Sequence, residues 1–168
     1  MSVNLVSRPR LILPLGLIIS GCCWAALLSI KDQLPYSDPN ISLFWQAGLV
    51  GLFVFEGMVS LVWSWMTLAK AKAANQLAVS GPYALIRHPI FATILWDGTG
   101  CLAFYFKAWV VLLALVPLSL LWSYLASIEE RYLERRYGSE YWHHFAHKGQ
   151  LFPSFKEPDQ MFKDSFDD

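Results

Sequence analysis

The sequence predicts an all-α fold: an integral membrane helical bundle of about four transmembrane helices, forming a single membrane domain over residues 1–168. Hydrophobic residues make up 55% of the chain. Charged residues make up only 15%, compared with about 25% in soluble domains. The apolar residues are gathered in long runs, and a helix needs about 20 apolar residues to cross a bilayer. These runs are residues 11–30, 42–69, 90–106 and 108–128.

The first two runs form the N-terminal spans, residues 11–69. The first run carries no charged residue, and the second is long enough to cross the membrane with a tilt although it contains Glu56. A segment rich in turn-forming residues, 31–41, joins them as an external loop.

The third and fourth runs predict a hairpin, because only a turn at Lys107 separates them. Two crossings, out and back, return the chain to the membrane face from which the third run began. The polar stretch before the hairpin, GPYALIRHPIF, should therefore lie beside the one that starts after it at Glu129 and Glu130.

The segment after the hairpin begins as an extension of the fourth helix. IEERYLERRYG is rich in helix formers, and Gly138 is a plausible helix stop. YWHHFAHKGQLFP predicts a second short helix that lies at the membrane interface. His143 and His147 share a face of that helix, but no glutamate accompanies them in the spacing of a zinc protease, so no metal site is predicted. Residues 154–168 form a polar tail.

The basic residues predict the orientation of the chain. A cytoplasmic N-terminus places eleven of them inside and only Lys31 and Lys107 outside. Since membrane proteins concentrate lysine and arginine in their cytoplasmic loops, we expect both termini to be cytoplasmic. The inside residues are Arg8, Arg10, Lys70, Lys72, Arg87, Arg131, Arg135, Arg136, Lys148, Lys156 and Lys163.

Composition also bears on the partners. The formal net charge is zero and the basic residues are dispersed, so the chain has no general attraction to nucleic acid and no such partner is expected. The lipid bilayer is the expected partner, and the oligomeric state is left open.

The two polar stretches carry complementary charges. Arg87 can bind a carboxylate, and His88 can add a hydrogen bond or change its protonation near neutral pH. Glu129 or Glu130 can bind an ammonium group. Alternatively, Arg87 anchors the chain at the membrane surface and His88 caps a helix. Glu129 and Glu130 are then solvated charges on a helix. Together the two stretches offer what an amino-acid head group requires.

Asp97 and Glu56 lie inside apolar runs. An ionisable side chain there is costly and is by default a functional candidate. A protonated or paired structural carboxyl is the alternative for each residue.

These residues resemble a membrane methyltransferase superfamily that includes isoprenylcysteine carboxyl methyltransferases and phospholipid N-methyltransferases. The resemblance covers roughly residues 76–153, the predicted hairpin and tail. Its first half is matched by Gly81, Pro82, Tyr83, Arg87, His88 and Pro89. Its second half is matched by Glu129, Glu130, Leu133, Tyr137, Gly138, Tyr141, Phe152 and Pro153.

The resemblance implies S-adenosylmethionine as methyl donor, bound at the cytoplasmic end of the hairpin and covered by the tail. It implies an acceptor that is a lipophilic small molecule or a lipid-linked group. The candidate catalytic residues are Arg87, His88 and Asp97. The candidate cofactor-binding residues are Gly81, Tyr83, Arg87, His88, Pro89, Glu129, Glu130 and Tyr141.

The sequence departs from the family pattern at several positions. Phe91 replaces a usual tyrosine, Thr93 stands where glycine is common, and His147 stands where an arginine would suit an anionic substrate. Sterol reductases share a related R-H-P segment, but they continue with Asn-Tyr where this chain has Ile90 and Phe91. A membrane reductase that uses NADPH, and a non-catalytic helical membrane protein, are the alternative functions.

Overall fold

The structure is a computed structural model that describes residues 11–34 and 40–154. Within these residues the regular elements are helices, without a strand, so the predicted all-α bundle is confirmed. Arg8 and Arg10, the centre of the predicted external loop and residues 155–168 of the polar tail lie outside the described part.

The N-terminal half consists of two long helices. α1 is Ile12–Ile30 and continues into a turn of 3-10 helix, Lys31–Gln33; α2 is Leu43–Ala73. Both are long and apolar enough to cross a membrane. Large apolar side chains on α2, such as Phe55 and Trp65, are exposed. A bilayer supplies the apolar surroundings that such a surface requires.

The third apolar run forms a shorter, interrupted helix. α3, Pro89–Thr93, is followed by a turn of π-helix, Ile94–Gly98, and by α4, Thr99–Tyr105. At 1.5 Å per residue this interrupted helix, 89–105, extends about 25 Å, somewhat less than a hydrocarbon core of about 30 Å. It packs along α2.

The fourth run completes the hairpin. Lys107 adopts a φ of 49° at the turn, and a 3-10 segment, Trp109–Ala114, leads into α5, Leu115–Tyr137. About four spans were predicted, and within the described residues three helices have the length and composition of a span: Ile12–Gln33, Leu43–Ala73 and Trp109–Tyr137. The third apolar run is the exception. Gly138, with a φ of 61°, separates α5 from the short α6, Ser139–Phe145, as predicted.

The core joins α1, the interrupted helix and α5 around Trp122. This side chain is fully buried, and its indole nitrogen donates to the Ser20 hydroxyl over 3.1 Å. A Cβ on Gly16 would lie 2.5 Å from the Trp122 ring, so glycine is what lets α1 approach α5 this closely. The Phe91 ring packs 4.8 Å from Trp122 and 5.2 Å from His88. This packing fixes the start of the interrupted helix against the first half of α5.

Candidate functional site

One end of the hairpin brings the two predicted polar stretches into contact. Arg87 donates from Nη1 to Glu130 Oε1 over 3.1 Å. The His88 ring lies between the two glutamates, with Nε2 3.2 Å from Glu130 Oε1 and Nδ1 3.4 Å from Glu129 Oε2. The predicted proximity is therefore confirmed. We call these four residues the charged cluster.

Local backbone geometry places Arg87 and His88. His88 has φ −126° and ψ 68°, outside helical geometry, and Pro89 begins α3 directly after it. A residue before proline is disfavoured in the helical region, which explains this break. Pro89 itself fits the first helical position, where its missing N–H costs nothing.

The preceding turn, Gly81–Ala84, packs against α2. Gly81 has a φ of 59°, and a Cβ there would lie 2.8 Å from the Trp63 indole nitrogen. The Tyr83 side chain is buried. Gly81 thus allows the turn that leads into the charged cluster to lie close to α2.

Residues 148–153 lie across this turn. We call them the tail segment, as distinct from the polar tail that follows them. The backbone N–H groups of Arg87 and His88 donate to the carbonyls of Gly149 and Gln150 over 3.0 and 3.1 Å. The Gln150 amide donates to Glu130 Oε2 over 3.2 Å. Arg87 Nε also donates to the Lys148 carbonyl over 2.6 Å. Lys148 and Gln150 were not predicted from the sequence. The feature of the family pattern that lies nearest to them in the chain is the closing Phe152-Pro153.

The charged cluster favours a protonated His88. Burial, the largest single influence, lowers the pKa of His88, but its hydrogen bonds and charge interactions with Glu129 and Glu130 together raise it above the ordinary value. Since both ring nitrogens face carboxylate oxygens, the doubly protonated ring can donate to both.

Tyr141 of α6 reaches the same region. Burial and then the charge of Glu130 raise the pKa of Tyr141, so it remains a hydroxyl at neutral pH. The side chain is 1% exposed, and its hydroxyl has no hydrogen-bond partner within residues 11–34 and 40–154. A buried hydroxyl without a partner is costly, and a bound ligand could satisfy it.

A cavity of about 460 Å³ lies between α2, the interrupted helix and the tail segment. Asp97 lies here and not in the charged cluster; it comes nine residues after His88, about 13 Å along the helix. The Thr93 hydroxyl, at the position where the family commonly has glycine, is 2.7 Å from the Ser60 hydroxyl. The lining residues are Phe53, Glu56, Ser60, Pro82, Leu85, Ile86, Pro89, Ala92, Thr93, Trp96, Asp97, Leu151, Phe152 and Pro153.

The fold and this site define an integral membrane helical protein in which a buried charged cluster lies beside a cavity with a largely apolar lining. The chain matches the phospholipid methyltransferase family over residues 47–140. This is more than half of its length, and the chain belongs to that family. The predicted class, a membrane methyltransferase, agrees with this finding. Comparison with curated proteins and with solved structures gives no match.

The matched residues contain α2 from its fifth position, the interrupted helix and α5, and so include the whole charged cluster. The family match favours a methyltransferase over both a membrane reductase and a non-catalytic membrane protein. Tyr141 and the tail segment lie beyond the matched range.

Proposed function

We propose that this protein transfers a methyl group from S-adenosylmethionine to a lipophilic acceptor in the bilayer. The observation that carries the proposal is the convergence of Arg87 and His88 with Glu129 and Glu130 in a chain of a methyltransferase family. When bound, S-adenosylmethionine supplies a methyl group on a positively charged sulfur, already activated for displacement.

The residues at this end of the hairpin fit the amino-acid part of that cofactor. The Glu129 side chain is 33% exposed and contacts His88 through one oxygen, which leaves carboxylate surface for an ammonium group. The Tyr141 hydroxyl, which has no hydrogen-bond partner among the residues that the structure describes, can donate to a carboxylate. Arg87 carries the positive charge that a cofactor carboxylate needs, and its guanidinium lies over the Trp142 ring at 5.5 Å.

Glu130 fits a positioning role better than direct contact with the cofactor. Its side chain is 9% exposed, and it already accepts hydrogen bonds from Arg87, His88 and Gln150. The carboxylate therefore links α5 to the start of α3 and to the tail segment. Gly81 and Tyr83 support the same arrangement from the preceding turn, and Pro89 supports it as the first residue of α3.

Alignment of the two reactants is the main task that remains for the protein. Because the donated methyl is already activated, orientation can supply several kcal/mol, up to about 10 kcal/mol. Asp97 is the candidate for accepting a proton from an acceptor that has one to lose; His88 could do so only as the neutral ring, which its contacts with Glu129 and Glu130 disfavour. The acceptor enters from the bilayer, and the cofactor enters from the cytoplasm, the side on which the distribution of basic residues predicts the charged cluster to lie.

The direct test is methyl transfer by membranes that contain the protein. Membranes are incubated with S-adenosylmethionine labelled at its methyl group and then separated into lipid, peptide and aqueous fractions. We expect label in the lipid-extractable fraction, with Glu129→Gln reducing it at least about tenfold. The control variant is Glu140→Gln, an exposed acid on α6. Transfer that is absent from folded wild-type protein, or unchanged in Glu129→Gln, would contradict the proposal.

A further inference from the structure

Every polar atom of His88 already has a partner within the protein. Its backbone N–H donates to the Gln150 carbonyl over 3.1 Å, and its carbonyl accepts from the Ala92 N–H over 3.0 Å. The ring nitrogens face carboxylate oxygens, Nε2 that of Glu130 and Nδ1 that of Glu129. The residue is 6% exposed. His88 therefore has no polar atom left with which to contact a cofactor in this arrangement.

The surroundings of the ring decide which charge it carries. Phe91 stacks on it at 5.2 Å, with an angle of 11° between the rings, and contributes no charge. The two tyrosines nearby remain hydroxyls at neutral pH because burial raises the pKa of each. Two glutamates that face the ring nitrogens thus favour the protonated ring. The titratable and charged side chains at this place are Tyr83, Arg87, Glu129, Glu130, Tyr141 and Lys148.

Glu129 is the residue at which the ring and the proposed cofactor site meet. Its Oε2 lies 3.4 Å from His88 Nδ1, and its side chain is 33% exposed. The proposed function assigns the exposed part of this carboxylate to the ammonium group of the cofactor. One carboxylate would then face two cations, the protonated ring on its buried side and the ammonium group on its exposed side.

Two cations that share a carboxylate repel each other, and most strongly where water is excluded. The ring can relieve this repulsion, because without the Nδ1 proton it still donates to Glu130 through Nε2. Glu129 is then released from the ring. A cofactor carboxylate beside Arg87 would act in the opposite direction, but the positively charged sulfur leaves the cofactor with a net positive charge.

We propose that His88 is a positioning residue and not a cofactor contact: its protonated ring holds Glu129 in the free protein, and cofactor binding passes Glu129 to the ammonium group and releases the Nδ1 proton to solvent. The inference rests on the proposed function and deepens it by assigning a regulation by pH to the same site. Because binding releases a proton, affinity should rise with pH until the ring is also neutral in the free protein.

The protonation of His88 can be read by NMR without turnover. The chain has 4 histidines, and the other three lie on α6 or just after it. The variant H143Q/H144Q/H147Q therefore carries His88 as its single histidine. Its ring is labelled with carbon-13 at Cε1, whose chemical shift reports ring protonation. The labelled protein in detergent micelles is titrated from about pH 5 to 10, with and without saturating S-adenosylmethionine.

We expect a titration midpoint above about pH 6.5 in the free protein and a fall of about one to two pH units when the cofactor is bound. Adding Glu140→Gln, the exposed acid on α6, should change neither midpoint. Adding Glu129→Gln should lower the midpoint of the free protein and reduce the fall. A free-protein midpoint below about pH 6.5, or a midpoint that stays or rises on cofactor binding, would overturn the inference.

Binding of labelled S-adenosylmethionine, measured on the same samples, separates this inference from the proposed function. If the protein binds S-adenosylmethionine and the midpoint does not fall, the role of His88 alone is wrong. If wild type binds no S-adenosylmethionine, the proposed function is wrong. If only the triple histidine variant fails to bind it, wild type is titrated instead, and the His88 signal is the one that Glu129→Gln shifts.

Discussion

At the scale of single residues, Glu130 is the residue of the charged cluster that connects the other segments. Its nearly buried carboxylate accepts from Arg87, His88 and Gln150, whereas the neighbouring Glu129 is one-third exposed. The two glutamates are adjacent in sequence and equal in charge. The structure nevertheless gives them different surroundings, and so different expected roles.

Replacing each glutamate by alanine should separate those roles. Glu130→Ala removes the carboxylate partner of the Arg87 guanidinium and one of the two carboxylates that contact His88, and is expected to cost about 3–5 kcal/mol of unfolding free energy. Glu129→Ala should cost less than Glu130→Ala, because the Glu129 side chain is one-third exposed and the His88 ring keeps its contact with Glu130. Denaturant unfolding of both variants in detergent micelles measures the difference. Equal losses of stability would contradict the positioning role of Glu130.

His88 should make stability depend on pH. Its pKa is raised in the folded protein, above the value of about 6.5 in an unfolded chain. The stabilisation from its protonated ring is therefore complete below about pH 6.5 and is lost as pH rises through the raised pKa. The charged groups that face the ring are Glu129 and Glu130, with Arg87 beside it.

Thermal unfolding of wild type and His88→Gln across about pH 5.5 to 9 tests this sign. The advantage of wild type should be largest at low pH and should shrink as pH rises. An advantage that grows with pH would show that the folded protein holds His88 neutral.

Tyr141→Phe should separate ligand binding from stability. The Tyr141 hydroxyl is buried without a partner in the described part of the chain, so its removal should leave stability unchanged or slightly raised. Binding of labelled S-adenosylmethionine should weaken about five- to tenfold if this hydroxyl contacts the cofactor. Unchanged binding would remove Tyr141 from the proposed site.

Some of these residues could be predicted from the sequence, and others could not. Arg87, His88, Glu129 and Glu130 could be placed together because two membrane crossings return the chain to one face. The contacts made by the Lys148 and Gly149 carbonyls could not be predicted, since any residue supplies a backbone carbonyl.

At the scale of the elements, close helix contacts depend on individual glycines. In α1, a Cβ on Gly16 would overlap the Trp122 ring, whereas a Cβ on Gly21 would meet nothing within 4 Å. Both glycines belong to one helix, so each is a control for the other.

Gly16→Ala is expected to destabilise the protein by about 1–3 kcal/mol, because overpacking forces the Trp122 ring or α1 to move. Gly21→Ala should be neutral or should stabilise by up to about 1 kcal/mol, since alanine favours helix. Unfolding of both variants in the same detergent measures the contrast. Similar effects of the two substitutions would contradict the packing of α1 on α5.

The third apolar run shows why elements are harder to predict than fold class. Its apolar residues predicted a span over 90–106, and its helical character is confirmed. The π turn at Ile94–Gly98 was not predicted. Periodicity reports which residues are apolar, whereas the close approach at Gly57 and the hydrogen bond between Ser60 and Thr93 come from packing against α2.

At the scale of the whole molecule, the candidate site is formed by three segments that are distant in sequence. The turn before α3, the end of α5 and the tail segment are joined by Glu130 and by the backbone bonds of Arg87 and His88. The all-α membrane fold followed from composition and run length. The methyltransferase class followed from the two motifs at hairpin spacing, and the family match over residues 47–140 supports it.

Equilibrium binding of labelled S-adenosylmethionine to the purified protein in nanodiscs tests whether the charged cluster forms a cofactor site. The account predicts saturable binding to wild type and Glu140→Gln, at least about tenfold weaker binding to Glu129→Gln, and no binding of NADPH. Folded wild-type protein that binds NADPH and not S-adenosylmethionine, or that binds neither, would contradict it.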